Sequence, residues 1–397
     1  MIRKLIYAMS FIVMLLISNS TVWGQLKFMD IIGSGARAEG MGGAFIGLAD
    51  DATALSWNPA GLTQLERPEA SFVFRQSMDK YSYSAPGDKF SSTASHPTLN
   101  FGSFAYPMKF GENKFTVALA FQNQIDLFLY TNQKDVFKED QTGGINSISP
   151  GLAYQIMPAL SVGASFNLWL GSSEYKYDDL QDNSFSYSYK DDFSGFNYQV
   201  GVLADLEQTG AKLPMRIGVS YRAPFEMTDK WKYGGSSTEY KWAWQLPAMF
   251  GFGISYRVGE NLTLAADYEM RKFGGSKVKQ IDDPSNPGES FNLSSGKDDL
   301  NPIRIGAEYL VITDNWVIPV RAGFKTVPTL FADVKSNGDF GSQVTGTAIS
   351  VGSGIILKRF AIDIAATRRA FEVNDKSDDS KKEFTYLIFS GSAIIYF

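Results

Sequence analysis

The stretch Leu160-Ser161-Val162-Gly163-Ala164-Ser165-Phe166-Asn167-Leu168-Trp169-Leu170 carries an apolar residue at every even position. Between them stand mostly small or polar residues: Ser161, Gly163, Ser165, Asn167 and, as the exception, Trp169. A β-strand turns successive side chains to opposite faces, so this strand has one greasy side and one largely wet side. It is also long enough to cross a hydrocarbon layer as a tilted strand. Similar segments recur along a chain of 397 residues that holds 37 glycines and 14% aromatic residues. Past the leader, no run approaches the ~18 consecutive apolar residues of a helical span. The pattern predicts an all-β protein, a transmembrane barrel of antiparallel strands.

Fourteen strands are expected, over 69–79, 98–108, 113–125, 147–157, 159–171, 193–206, 212–224, 247–258, 261–273, 301–311, 316–327, 344–357, 359–371 and 384–397. Their connections alternate. After even strands they are short, as at Pro158, Gly259-Glu260 and Lys358; after odd strands they are long, as over 172–192, 225–246 and 274–300. An even count with short turns on one side and long loops on the other is the outer-membrane pattern, and it puts both barrel ends at the periplasm. The expected location is a bacterial outer membrane, with outer-membrane lipid and lipopolysaccharide as surroundings. The closing strand ends in Phe397, with Ile395, Ala393, Phe389 and Leu387 on one face. An aromatic end of this kind resembles the signal read by outer-membrane assembly machinery.

Parity assigns faces. Outward stand Phe115, Val117, Leu119 and Phe121; Ile217 and Val219; Phe252 and Ile254; Leu264 and Tyr268; Ile303 and Ile305; Ile362 and Ile364. The opposite parity sends Arg216, Arg222, Arg257, Asp267, Glu269, Arg271, Arg304, Glu308, Arg321, Lys325, Asp363 and Arg369 inward. A midplane Arg or Lys facing lipid would cost ~2–4 kcal/mol, so the assignment is self-consistent. Two readings of these charges stay open: a ladder of ion pairs stiffening the lumen, or arginines such as Arg257, Arg304 and Arg321 meeting an anionic head group. Pro319 removes a ladder donor inside strand eleven, and a local bulge is expected there. The twelfth strand does not resolve into two faces.

The amino terminus is a separate signal. Arg3 and Lys4 precede an apolar core from Leu5 to Ile17, and Val22-Trp23-Gly24 forms a small-residue cleavage site before Gln25. Removing residues 1–24 takes the formal charge from -5 to -7, because Arg3 and Lys4 leave with them. Mild acidity without a basic stripe argues against nucleic acid as a partner. The chain has no cysteine and a single histidine, His96. A closed ladder without free edges explains how a secreted chain holds together without disulfides.

Residues 25–67 do not alternate. The run from Gly33 to Leu62 is dominated by small residues, so backbone can pack closely. Asp50 or Asp51 can cap a short helix through Trp57, and Asn58 before Pro59 forms an N-cap and first-turn pair for another. Such a segment fits a wide lumen as a plug, leaving 68–397 as the barrel.

The sequence GMGGAFIGLADDATALSWNPAGL, from Gly40 to Leu62, resembles the amino-terminal plug of the FadL/TodX family of outer-membrane transporters of hydrophobic compounds. The likeness extends to Leu246-Pro247 through Tyr256, to Asp267-Tyr268 and to Arg304 through Tyr309. The resemblance implies a fourteen-stranded barrel with a plug, moving fatty acids or other hydrophobic molecules. A ligand would pass from an outer groove to a lumen site beside the plug and leave through a side opening into the bilayer. In the family that opening goes with a kinked third strand, whereas Lys114 to Asp126 here contains neither Gly nor Pro. The family also includes barrels that act as shuttle or anchor components in protein secretion, which makes secreted proteins the alternative partner.

Catalytic constellations are thin. A Ser–His–acid hydrolase would depend on His96, which is expected in a solvent-facing loop. No Cys or His cluster exists to hold a metal, no cofactor motif is present, and the Gly-rich plug lacks the GK[ST] of a phosphate loop. An enzyme is not expected. Leu127, Phe128, Leu129 and Tyr130 continue past the apparent end of strand three, and Trp242 and Trp244 crowd the fourth outer loop. Apolar clusters on outer loops suggest a docking groove for a hydrophobic small molecule. The expected inner pocket is bounded by Met41, Phe45, Leu48 and Trp57 of the plug, followed by Asn58 and Pro59.

Overall fold

The structure, a computed structural model, describes residues 33–181, 185–282, 290–292 and 298–397. The expected signal peptide, and the plug up to residue 32, lie outside the described residues. The ladder segments are β1 (Glu69–Ala85), β2 (Asp88–Phe110), β3 (Asn113–Asp126), β4 (Leu129–Gln133), β5 (Phe137–Met157), β6 (Leu160–Asp179) and β7 (Tyr187–Asp205). Next come β8 (Met215–Arg222), β9 (Phe225–Tyr233), β10 (Glu239–Leu246), β11 (Met249–Val258), β12 (Leu262–Arg271), β13 (Lys277–Gln280) and β14 (Ser290–Asn292). The last are β15 (Ile303–Ile312), β16 (Val317–Val334), β17 (Phe340–Ile356), β18 (Phe360–Asp375) and β19 (Ser380–Tyr396).

These segments build fourteen antiparallel staves, because several staves are interrupted. β8 and β9 both pair with β7 on either side of Ala223-Pro224. β11 pairs with β8 and β10 with β9, flanking Pro247-Ala248. Proline carries no ladder donor, which accounts for both breaks. β4 continues β3 along β5, while β13 and β14 extend the staves of β12 and β15. The cylinder closes by β1 pairing β19, from Glu69 opposite Tyr396 to Ser84 opposite Lys381.

The expected faces hold: Ile305 and Ile364 are 50% and 61% exposed, while Arg304 and Asp363 on the same strands are buried. In β17 the open register resolves, with Ile349 and Val351 outward and Ala348 and Ser350 buried inward. The bulge expected at Pro319 is absent. Val317 pairs Ile356 and Val320 pairs Ser353, so the register runs through unshifted. The Ser353 hydroxyl donates to the Pro319 carbonyl at 3.0 Å and helps hold the strands together there.

The outer connections differ most from expectation. The segments 172–192 and 225–246, expected as loops, are mostly strand, since β6, β7, β9 and β10 climb far past the apolar belt. Above that belt the outward side chains turn polar (Ser172, Glu174, Lys176), so the greasy alternation stops while the hydrogen-bond ladder continues.

Candidate functional site

The plug fills the lower lumen with α1 (Ala36–Gly40), α2 (Ala54–Trp57) and a 3-10 turn (Pro59–Gln64). Asn58 caps the 3-10 turn as expected, accepting from the Ala60 N–H at 3.2 Å. Its amide also donates to the Ile46 carbonyl at 3.1 Å and to Val202 of the wall at 3.0 Å. Asp51 does not cap α2. It folds an Asx turn, accepting from the Thr53 N–H and hydroxyl at 2.8 and 2.5 Å, and burial lifts its carboxyl above the ordinary value. Plug and wall meet backbone to backbone. A Cβ on Gly323 would stand 2.0 Å from the Gly42 nitrogen, and one on Gly201 would stand 1.9 Å from Asn58 Oδ1. Wall glycines therefore set how closely the plug can seat.

Charges fasten this seat. Arg321 donates to Glu308 and to Asp363, both at 2.6 Å, and Arg37 of α1 donates to Glu308 at 2.8 and 3.0 Å. Asp267 accepts from the Phe45 and Ile46 backbone N–H groups at 2.7 and 2.9 Å. Arg304 bonds Glu269 at 3.1 Å and lies 5.6 Å over the Trp57 ring. Of the three arginines singled out in the sequence, Arg304 and Arg321 are thus held in ion pairs. Arg257 is not in the lumen: it sits exposed at the periplasmic rim, paired with Glu207 at 2.5 Å, because its strand ends there.

The plug residues expected to bound a pocket are placed differently. Met41, Phe45 and Leu48 are buried in one apolar cluster with Leu55, Leu62 and wall residues such as Phe101. Pro59 is buried against the wall at Gly163. Trp57 borders a cavity of about 40 Å³ shared with Gln199, Arg222, Glu269 and Arg304. Ligand pockets run to ~300–1,000 Å³, so this one holds water at most as it stands.

Above it lies an apolar layer that includes Ile125, Leu127, Trp169, Phe193, Met227 and Trp244. Leu127 and Trp244 are therefore buried inside the lumen rather than displayed on outer loops, with Trp242 half-buried against the same layer. Inward parity on β10 does this, since Trp244 faces Met227 and Trp242 faces Asp229. Leu129 and Tyr130 lie half-buried on β4.

Around the mouth, inward rings on nine staves form a chain missed in the sequence. It runs Phe331, Phe371, Phe384, Tyr81, Phe90, Phe137, Tyr177, Tyr187 and Tyr233, with successive centroids 4.8 to 6.3 Å apart. These spacings are those of favourable aromatic pairs. The signal for it is one aromatic at the inward parity near each strand tip, but seven of the nine rings lie beyond the predicted strand ends and only Phe371 and Phe384 fall within them.

The third stave leaves the wall. Gln122, Asn123, Gln124 and Ile125 are buried consecutively, where alternation should expose every second one. The register against β5 slips between Asn123 and Ile125, and pairing with β2 ends at Phe101 opposite Gln122. A bulge bends a strand without Gly or Pro. Beyond it, side chains join the two staves: His96 Nε2 meets Asp126 Oδ2 at 2.5 Å, and the Ser92 hydroxyl accepts from the Asn132 N–H at 3.1 Å. Phe128 stacks on His96 at 3.9 Å. His96 is thus a part-buried residue of β2 facing inward, not a solvated loop residue. On the lipid side a depression of about 480 Å³ adjoins the bend, rimmed by Phe121, Ile148 and Leu170 with Gly144 and Asn146 among its lining.

The sequence profile of the outer membrane protein transport family (OMPP1/FadL/TodX) matches residues 32–337. Among solved structures, a Pseudomonas aeruginosa FadL homologue superposes with a TM-score of 0.66 at 12% identity, covering 93% of this chain and 99% of that one. The P. putida toluene transporter TodX gives 0.63 at 14% identity, with coverage of 93% and 99%. The Ralstonia pickettii toluene transporter TbuX gives 0.58 at 16% identity, with the same coverage. No individually curated protein matches the chain.

Proposed function

The chain belongs to the OMPP1/FadL/TodX family of outer-membrane transport proteins, and from that membership we propose a passive channel that releases small hydrophobic molecules sideways through its wall. Long-chain fatty acids and hydrocarbons are the substrate class. Ligand enters at the aromatic mouth, partitions into the apolar layer of the lumen and meets the plug. The plug's close seat among wall glycines favours a sideways exit over displacement of the whole cork.

The observation that carries this reading is the departure of the third stave from the wall at Gln122 to Ile125. It leaves a seam against β2 bridged by side chains, at the height of the lipid-facing Leu99 and Met78. Opening that seam breaks a few side-chain contacts instead of a backbone ladder. The lipid-side depression beside the bend offers an apolar rim to a departing molecule.

The chain's lack of cysteine makes the test clean. The double variant H96C/D126C replaces two side chains that meet across the seam. In liposomes it should take up toluene or labelled oleate when reduced and lose uptake when bridged by a short bis-thiosulfonate, with reductant restoring it. Equal uptake with and without a verified cross-link would reject exit through this seam.

A further inference from the structure

Three inward carboxylates above the apolar layer have no cationic partner among the described residues. Glu139 on β5, Asp191 on β7 and Asp229 on β9 are all buried. Their hydrogen-bond donors are neutral: the Tyr175 hydroxyl to Glu139 at 2.8 Å, the Ser173 hydroxyl to Asp191 at 2.6 Å, and the Trp244 indole N–H to Asp229 at 3.1 Å. Asp229 Oδ1 has no partner. The nearby lysines cannot help, because Lys190 and Lys230 stand at the opposite parity and point outward.

The carboxylates share their space with aromatic faces. Tyr175 and Tyr189 stack at 4.7 Å, and Tyr189 lies 5.9 Å from Trp231. Tyr189 is within electrostatic reach of all three acids. Ring faces carry negative quadrupole density, and with adjacent carboxylates they favour an organic cation that water solvates weakly. Among the described residues no group of acids or histidines has an arrangement suited to a metal ion.

Register supplies the rest of the ligand. The next inward residues below Asp191 and Asp229 are Phe193 and Met227, both in the apolar layer. Above them, half-buried Trp231 and 41%-exposed Tyr233 lead to solvent. A molecule seated here would put its charge among the acids and its chain downward.

We propose that Asp191 and Asp229, framed by Tyr175, Tyr189 and Trp231, bind the ammonium group of a cationic amphiphile in the extracellular mouth, with Glu139 nearer the entrance along its approach. This rests on the channel reading and narrows its substrate class: the entrance favours an apolar chain bearing an amine over one bearing a carboxylate.

The test is equilibrium binding of matched twelve-carbon probes to the full-length protein in a neutral detergent. Dodecyltrimethylammonium should bind about tenfold tighter than dodecanol or dodecanoate, about 1.4 kcal/mol. The double variant D191N/D229N should erase that ratio, and E139Q should reduce it. Equal binding of all three probes to the unmodified protein would overturn the proposal without needing any variant, as would a ratio that survives D191N/D229N. Dodecylphosphocholine identifies the source: weaker binding than the plain ammonium supports a free amine, and equal binding supports a zwitterionic lipid head group at the same site. Toluene uptake by the unmodified protein reports separately on the channel reading, so failure of either can be told from failure of the other.

Discussion

The lower and upper halves of the lumen treat buried charge in opposite ways. Below, Glu308 and Asp363 meet Arg321, Glu308 also meets Arg37, and Glu269 meets Arg304. Above, Glu139, Asp191 and Asp229 have, among the described residues, hydroxyl and indole donors and no cation. A buried carboxylate is costly to leave uncompensated, so the lower set makes sense as a fastening for the plug. The upper set is where the proposed cationic ligand would be received.

The strongest way to break this contrast is to remove the lower clasp. Arg321→Leu strands buried Asp363 and leaves Glu308 with Arg37 alone, and should cost ~3–5 kcal/mol, read as a lower denaturant midpoint for the protein folded in lipid vesicles. A loss under 1 kcal/mol would mean that the wall carboxylates beneath the plug do not depend on Arg321 for their compensation. Gly323→Ala tests the seat itself. Its Cβ would stand 2.0 Å from the Gly42 nitrogen, which as backbone has little room to yield. A loss of ~1–3 kcal/mol is expected, with increased conductance in planar bilayers as the plug loosens. The smallest effect should come from the upper half: D191N/D229N should change stability by under ~1 kcal/mol or raise it, since two buried, unpaired charges disappear. Should that pair destabilise as much as Arg321→Leu, the acids are structural and the two halves are alike.

Much of the architecture was legible. Alternation such as Leu160 to Leu170 marks both a strand and the face it shows to lipid, because any barrel must put apolar side chains there. The Asn58-Pro59 cap was readable because it is local. The bend in the third stave was not, since Gln122-Asn123-Gln124-Ile125 carries no breaker; only a register slip against β5 produces it. Nor could the sequence say that Arg321, besides meeting its hairpin neighbour Glu308, reaches past β17 to Asp363 on β18. The strand tips were misread as loops because polar side chains on both faces erase the alternation, although backbone pairing needs none. His96, read as solvated, became an inward residue of the seam for the same reason.

By itself the sequence determined that this chain crosses a membrane as a barrel, which side chains meet lipid, and that its leading segment is compact enough to sit inside. Those properties follow from periodicity and residue size, which are local. Tertiary structure alone decided which charges pair, where the wall parts and which carboxylates are left without a cation. These depend on register between staves distant in sequence, and a slip of one residue would reverse every inward and outward assignment.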